Sequence, residues 1–290
     1  MLTVILGVAT GLVYGFADFF GAISSRKLRP ILVTAVAGWV GLTAILLLTA
    51  FGALHANYSP GSLFWGGIAG LFSALGLACL YQALAIGPIS ILSPLAAVVG
   101  AIVPAFIGPA ILGERFSSLG WLAIALVILA IPLVAYHPDP SKAIRPSARG
   151  IGFAVGAGVG IGGVLVCLHM APIADGVAAA TLTRAENVLI LGLVTLGLLI
   201  TKRAKLSEFR EIGAGQLWLA IAATGVLDAA ANVMFVYGSG LGGLTTVSVL
   251  TSLYPLGTIV LARIVLKEKL AVSQAAGILL ALGASVLLAL

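Results

Sequence analysis

The stretch Leu227–Lys269, LDAAANVMFVYGSGLGGLTTVSVLTSLYPLGTIVLARIVLKEK, decides how the chain is read. It is apolar enough to cross a bilayer twice. Yet its first crossing carries Asp228 and Asn232, and its second is interrupted by Pro255. A charge at mid-membrane costs about 2.5–3.5 kcal/mol on the insertion scale, so an acid kept there is read by default as functional. Proline removes a backbone donor and frees a carbonyl that another group must satisfy. An acid set against an interrupted helix builds a polar site inside hydrocarbon, and the rest of the chain reads as the wall around it.

Outward from that stretch the composition agrees. Of 290 residues 61% are apolar and 8% charged, far below the roughly one quarter charged that a soluble domain carries. The expected class is an all-α polytopic membrane protein. Cutting at charged, Pro/Gly or polar clusters leaves ten spans of about 20 residues, the length a hydrocarbon core requires. They run near 2–23, 31–53, 63–86, 88–112, 118–136, 150–172, 177–201, 215–240, 244–266 and 272–290. The first is not expected to be a cleaved signal, because it lacks a basic n-region and contains Tyr14 and Asp18. Cys79 and Cys167 lie in separate apolar segments without a CxxC partner and read as packing residues, with no disulfide and no metal site.

The net charge of +6 reports topology rather than nucleic acid. Thirteen of the 15 basic residues lie in the loops after spans one, five, seven and nine, from Arg26 to Arg29, Lys142 to Arg149, Lys202 to Arg210 and Arg263 to Lys269. The other loops hold only Arg115, and Arg184 is intramembrane. The positive-inside rule therefore puts those four loops in the cytoplasm and both termini outside.

The chain also repeats itself. Leu80–Leu95, LYQALAIGPISILSPL, matches Phe235–Leu250, FVYGSGLGGLTTVSVL. Each is followed by a proline-containing span and a charged clip, Gly113-Glu114-Arg115 and Lys267-Glu268-Lys269. The expected units are a five-helix repeat over 1–137, a cytoplasmic linker over 138–149 and a second five-helix repeat over 150–290. An odd number of spans per unit makes the two repeats inverted, as in alternating-access carriers.

At these residues the chain resembles the drug/metabolite transporter superfamily, and within it the ten-helix EamA-type transporters. The likeness rests on Ala83-Leu84, Gly87-Pro88, Ser90 and Gly113-Glu114-Arg115, with Gly242-Gly243, Ser248 and Lys267-Glu268-Lys269 in the second half. Gly15–Phe19, Leu227–Asn232 and Ser252–Pro255 match a subgroup. Two departures stand out: the loop after span two has no basic residue, and Tyr14-Gly15 replaces the commoner Trp-Gly. The resemblance implies secondary transport, more often export, and a recurring arginine on the second helix of each half.

Thr224, Asp228 and Asn232 fall at i, i+4 and i+8 and share a helix face. Asp228 reads either as a site for a substrate amine or a proton, or as a structural carboxylate neutralised by Arg184. Arg184 and Glu186, two apart, point to nearly opposite sides, so at most one faces a central path, and Asn187 is expected on the face of Arg184. Arg184 is the stronger candidate of the two, against a stapling or snorkelling role. Asp18 reads as an interfacial partner of Arg26 and Lys27, or more sharply as a gate residue. Tyr14, Tyr81, Ser252 and Tyr254 complete the candidate substrate- or ion-binding set, with Pro94 and Pro255 as helix breaks for gating. Glycines at every fourth residue, Gly152, Gly156, Gly160 and beside them Gly158 and Gly162, read as helix packing. The G-x-G-x-x-G formed by Gly158, Gly160 and Gly163 lacks the strand a nucleotide fingerprint needs.

The three histidines are scattered and no metal or nucleophile constellation occurs, so no enzyme is expected, and no cofactor. The function expected is secondary active transport of a small polar, amino-acid-like or amine solute through a central cavity in a bacterial inner membrane. A passive channel or scramblase is the alternative. The partners expected are the solute, the lipid bilayer and a coupling proton, with no nucleic acid and no ATP-binding subunit, in a monomer or homodimer.

Overall fold

The computed structural model describes residues 1–25, 27–86, 89–135, 146–201, 215–265, 267 and 272–289, with backbone alone at 81, 84–85, 89–91, 93–94, 134–135, 285 and 288–289. Among these, the chain is helical: α1 Leu2–Ser25, α2 Pro30–Ala50, α3 Pro60–Ile86, α4 Ile89–Ile111, α5 Ser118–Ala135, α6 Ala148–Met170, α7 Gly176–Ile200, α8 Gly215–Gly242, α9 Leu244–Thr251, α10 Pro255–Val265 and α11 Val272–Ala289. A short 3-10 turn, Ile173–Asp175, precedes α7. Helices α9 and α10 are two parts of one apolar span, so there are ten spans, seven of them long and apolar enough to cross a membrane by length and composition alone.

Local chemistry sets the ends. Pro30 opens α2, Pro60 opens α3 and Pro255 opens α10, at first-turn positions where the missing N–H has no partner to lose. Ser59, Ser117 and Ser147 cap α3, α5 and α6 by accepting from Ser62 N (3.2 Å), Gly120 N (3.1 Å) and Gly150 N (3.1 Å).

The packing has an internal two-fold pattern. Helix α3 lies along α6 as α8 lies along α1; α4 packs on α6 as the α9–α10 span packs on α1; α3 meets α7 as α8 meets α2. Exchanging each helix for its counterpart five spans away maps these pairs onto one another. The pairs α2–α7 and α5–α11 map onto themselves. With five spans per half, this is the inverted two-repeat architecture.

Lipid offers no hydrophobic drive between helices, so small residues decide where backbones approach. Gly160 meets Gly76 and Gly156 meets Cys79 on α3, while Gly158 and Gly162 meet Val99 and Val103 on α4. The glycine repeat of α6 thus serves two neighbours, and only Gly152 of that set faces open space. On the other side of the symmetry, Gly7, Gly11 and Gly15 of α1 lie against Leu250, Thr251 and Gly257 of the α9–α10 span. Large apolar side chains such as Leu71, Phe106, Leu193 and Leu279 point outward, as does Trp39 in the middle of α2.

The α9–α10 span breaks at Ser252–Tyr254, whereas its first-half counterpart α4 runs without a break through Pro94, Pro104 and Pro109. The two proline-containing spans expected to be bent or broken alike therefore differ in the backbone. A cross-helix bond ties the two spans together: Thr245 Oγ1 donates to the Pro104 carbonyl (3.2 Å).

The close approach of α1 to the break generates a test. A Cβ on Gly15 would stand 2.7 Å from both Gly257 Cα and Thr258 N, backbone atoms that cannot swing aside, whereas a Cβ on Gly192 of α7 meets nothing within 4 Å. Gly15→Ala is expected to destabilise by about 1–3 kcal/mol through overpacking. Gly192→Ala is expected to be neutral or to stabilise by up to about 1 kcal/mol through helix propensity. Melting of the two detergent-solubilised variants, followed by size-exclusion fluorescence, checks the opposite signs.

Candidate functional site

Helices α2, α7 and α8 cross where Gly41 faces Gly225. A Cβ on Gly41 would stand 2.5 Å from the Gly225 carbonyl oxygen and 3.2 Å from Arg184 Nη1. The glycine pair thus lets two backbones touch and leaves a slot for a guanidinium. Arg184, about two turns into α7, fills it and donates from Nη2 to Asp228 Oδ2 on α8. The arginine side chain is 12% accessible and the aspartate 35%, so the ion pair is open on its carboxylate side.

Helix α1 completes the cluster on that open side. Asp18 stands in the electrostatic field of Asp228, and Tyr14 in that of Asp18, Asp228 and Arg184. Tyr254, at the break, lies in the field of Asp18. Asp18 makes no hydrogen bond or ion pair among the described residues. The expected interfacial partnership with Lys27 is not what forms. Asp18 lies about 10 Å along α1 from Ser25, and its neighbours are an acid and two tyrosines. Arg26 lies outside the described residues. The Arg184–Asp228 ion pair thus has a second carboxylate, Asp18, in the field of its acid.

The other candidates arrange themselves around this core. Asn232 donates to the Asp228 carbonyl (2.7 Å) and Thr224 to the Ala220 carbonyl (3.0 Å), with the Thr224 methyl facing Gly21 of α1. Ser252 Oγ is buried and donates to the Ser248 carbonyl (2.9 Å), so it steadies the end of α9. In the same segment Ser248 Oγ and Thr251 Oγ1 are buried without a hydrogen-bond partner among the described residues. Thr258 Oγ1 donates to the Gly15 carbonyl (3.0 Å), tying α10 to α1 beside Tyr14. The side chains of Tyr81 and Pro94 lie outside what the structure describes.

Glu186 turns away from Arg184, as its spacing implies, toward Gly67 and Gly70 of α3. Asn187 goes with it and not with Arg184: its Nδ2 donates to Ser73 Oγ of α3 at 2.5 Å. The reason is helical rotation: three residues advance the face by 300°, enough for a short amide to reach the α3 side. Among the described residues no three His, Cys, Asp or Glu side chains gather as a metal site.

Two carboxylates that motif reading left without a role join the halves at the end of the bundle holding the N-terminus and the loops after α2, α4, α6 and α8. Glu114, from the α4–α5 loop, accepts from Leu244 N (2.5 Å) and Thr245 N (3.1 Å) at the start of α9. A carboxylate there satisfies orphan donors and the positive end of the helix dipole. Gly243, at φ +90°, holds the turn that presents those donors. Asp175, buried just before α7, accepts from Asn57 Nδ2 (2.8 Å) and from Ser59 Oγ in the α2–α3 loop. The sequence signal for the first was the Gly113-Glu114-Arg115 clip; for the second it was only an Asp ahead of a helix start.

The Glu114 clasp is testable by itself. Glu114→Gln keeps the shape and one acceptor but removes the charge facing the dipole, and Glu114→Ala removes both acceptors. The expected losses are about 0.5–1 and about 1–2 kcal/mol, read as ordered falls in melting temperature.

A comparison with curated proteins returned no match. Among solved structures, one described as "Crystal structure of protein" is similar to 98% of this chain and 95% of its own, with a TM-score of 0.77 at 16% identity, which speaks for the fold alone. The family model "EamA-like transporter family" matches residues 1–136 and 148–290, once over each half. A ten-span, two-repeat bundle with a charged cluster between its halves is thereby placed: the chain belongs to the EamA-like transporter family.

Proposed function

We propose that the protein is a secondary carrier that moves a small polar, amine-bearing or amino-acid-like solute out of the cell across a bacterial inner membrane. The observation that carries this reading is the cluster of Arg184, Asp228 and Asp18 at the crossing of the two halves. One guanidinium against two carboxylates leaves a surplus negative charge, which a substrate ammonium or a proton can neutralise. Asp228 is the carboxylate that meets the solute, and Tyr14, Tyr254, Thr224 and Asn232 shape its surroundings. The break at Ser252–Tyr254 supplies a hinge for alternating access, and Pro255 keeps it from closing into a regular helix. The Glu114 and Asp175 clasps close the loop end of the bundle, so the conformation described is shut on that side. The basic-loop bias makes the shut side the outer one, with both termini outside.

Orientation is checked with single cysteines. Ser117→Cys, in the α4–α5 loop, is expected to react with an impermeant maleimide in intact cells, and Ser141→Cys only after lysis. Labelling in the reverse pattern means that the termini are inside.

Transport is checked in proteoliposomes by counterflow of labelled amino acids and amines, after a thermal-shift screen has picked a ligand. Binding at a hundred times its dissociation constant stabilises by about 2.7 kcal/mol. Saturable counterflow is expected, and a pore would not show it. Removing one partner of a fully buried pair costs about 3–5 kcal/mol, but the Asp228 side chain is 35% accessible, so Asp228→Asn is expected to lose only about 1–2 kcal/mol, and all counterflow. Adding Arg184→Gln is expected to restore stability and not transport. Counterflow regained in the double variant makes the pair a staple and overturns its assignment as the site.

A further inference from the structure

The membrane-facing side of the α4–α5 hairpin carries a groove of about 500 Å³ between Ile102–Ala110 of α4 and Trp121–Ile128 of α5. Its lining is apolar, and small side chains at Ala105, Ala110 and Ala125 make it concave. Phe106 and Trp121 stand on it with 70% and 48% of their surfaces accessible. At 1.5 Å per residue the groove runs about 10–12 Å down from the loop end, within the ~15 Å depth of one leaflet's hydrocarbon. It therefore has the reach of a single leaflet.

The loop at its end carries a charge. Trp121 packs edge-on against Phe116, ring centroids 5.6 Å apart, and Arg115 precedes Phe116 in the same loop. Arg115 is exposed and makes no hydrogen bond or ion pair among the described residues, while its neighbour Glu114 is engaged with the start of α9. It is also the one basic residue in the loops of this end. An exposed arginine one residue from the Phe116–Trp121 contact at the end of an apolar furrow of one-leaflet depth suits a molecule with an oxyanion head and a hydrocarbon tail, and guanidinium binds phosphate in a two-pronged geometry.

We infer that a bilayer phospholipid occupies this site, with one acyl chain in the α4–α5 groove and its phosphate accepting from the Arg115 guanidinium. A second copy is the less fitting occupant, since docking here about a two-fold axis brings two Arg115 side chains to the same end of the contact. Because Arg115 adjoins Glu114, the lipid headgroup sits beside the clasp between the halves, and the leaflet composition bears on how firmly that clasp is held.

The test is native mass spectrometry of the full chain released from mild detergent, with phosphatidylglycerol and a diacylglycerol of the same chains added at equal concentration. Retained phosphatidylglycerol is expected to exceed diacylglycerol about tenfold, the worth of one charge-assisted phosphate contact. Arg115→Gln, an exposed change that leaves the fold intact, is expected to erase that preference. Ala125→Phe, which fills the groove, is expected to lower both adducts. Equal retention of the two lipids by the unmodified chain, or a preference that survives Arg115→Gln, overturns the assignment. A dimer that excludes lipid and dissociates on Ala125→Phe assigns the groove to a second copy instead.

Discussion

A guanidinium cannot sit in hydrocarbon without an anion, and the Arg184–Asp228 pair is the point from which the rest of this bundle can be argued. For Arg184 to reach Asp228, α7 and α8 must be neighbours and α2 must not fill the space between them. The Gly41–Gly225 contact meets both needs, since any Cβ on Gly41 would meet the guanidinium as well as the α8 backbone. The charge pair and the glycine crossing are therefore one constraint. Either alone would leave a buried charge without a partner or an empty slot in the interior.

The same logic runs through α1. Its glycines bring it against the α9–α10 span, and this contact places Tyr14 and Asp18 beside both the ion pair and the break in that span. A regular helix in place of the break would satisfy its own backbone internally. With Pro255 in place, Thr251 cannot receive the usual bond from residue 255 and takes one from Tyr254 instead (3.0 Å). Local bonds of this kind let the chain bend without exposing carbonyls to lipid, the condition under which irregular backbone is tolerated at membrane depth. The polar cluster and the break in the span thus arise from the same packing.

The closed end is held differently. There the links between halves are carboxylates taking backbone and side-chain donors, Glu114 on the start of α9 and Asp175 on Asn57 and Ser59. Bonds of this kind are directional and few, so they can be broken together without disturbing the glycine-packed interior. The α4–α5 hairpin that supplies Glu114 is also the element with the lipid-facing groove and Arg115 at its rim.

Much of this was legible in the residues alone. Period and length announce ten spans, because a bilayer leaves a chain almost no choice but helices of that size. The repeated clips and the five-span period announce two inverted halves. Asp228 and Arg184 stand out because charge inside an apolar run is rare at any level of context. What the residues could not say is which charges meet. Asp18 reads as a partner of the bases that follow it, since sequence shows neighbours along the chain, yet the groups that share its field are Asp228 of α8, Tyr14 of its own helix and Tyr254 at the α9–α10 break. Asn187 shares a spacing with Arg184 and a bond with Ser73, because a 300° turn can be resolved toward either of two adjoining helices. Three prolines leave α4 unbroken, whereas its counterpart breaks just ahead of Pro255, a difference that proline content alone does not announce. The sequence by itself determined the number, approximate length and five-span repeat of the helices, which follow from solvation of the backbone and from the repeated motifs. The tertiary structure alone decided which polar groups face one another, which follows from glycine contacts a few ångströms across.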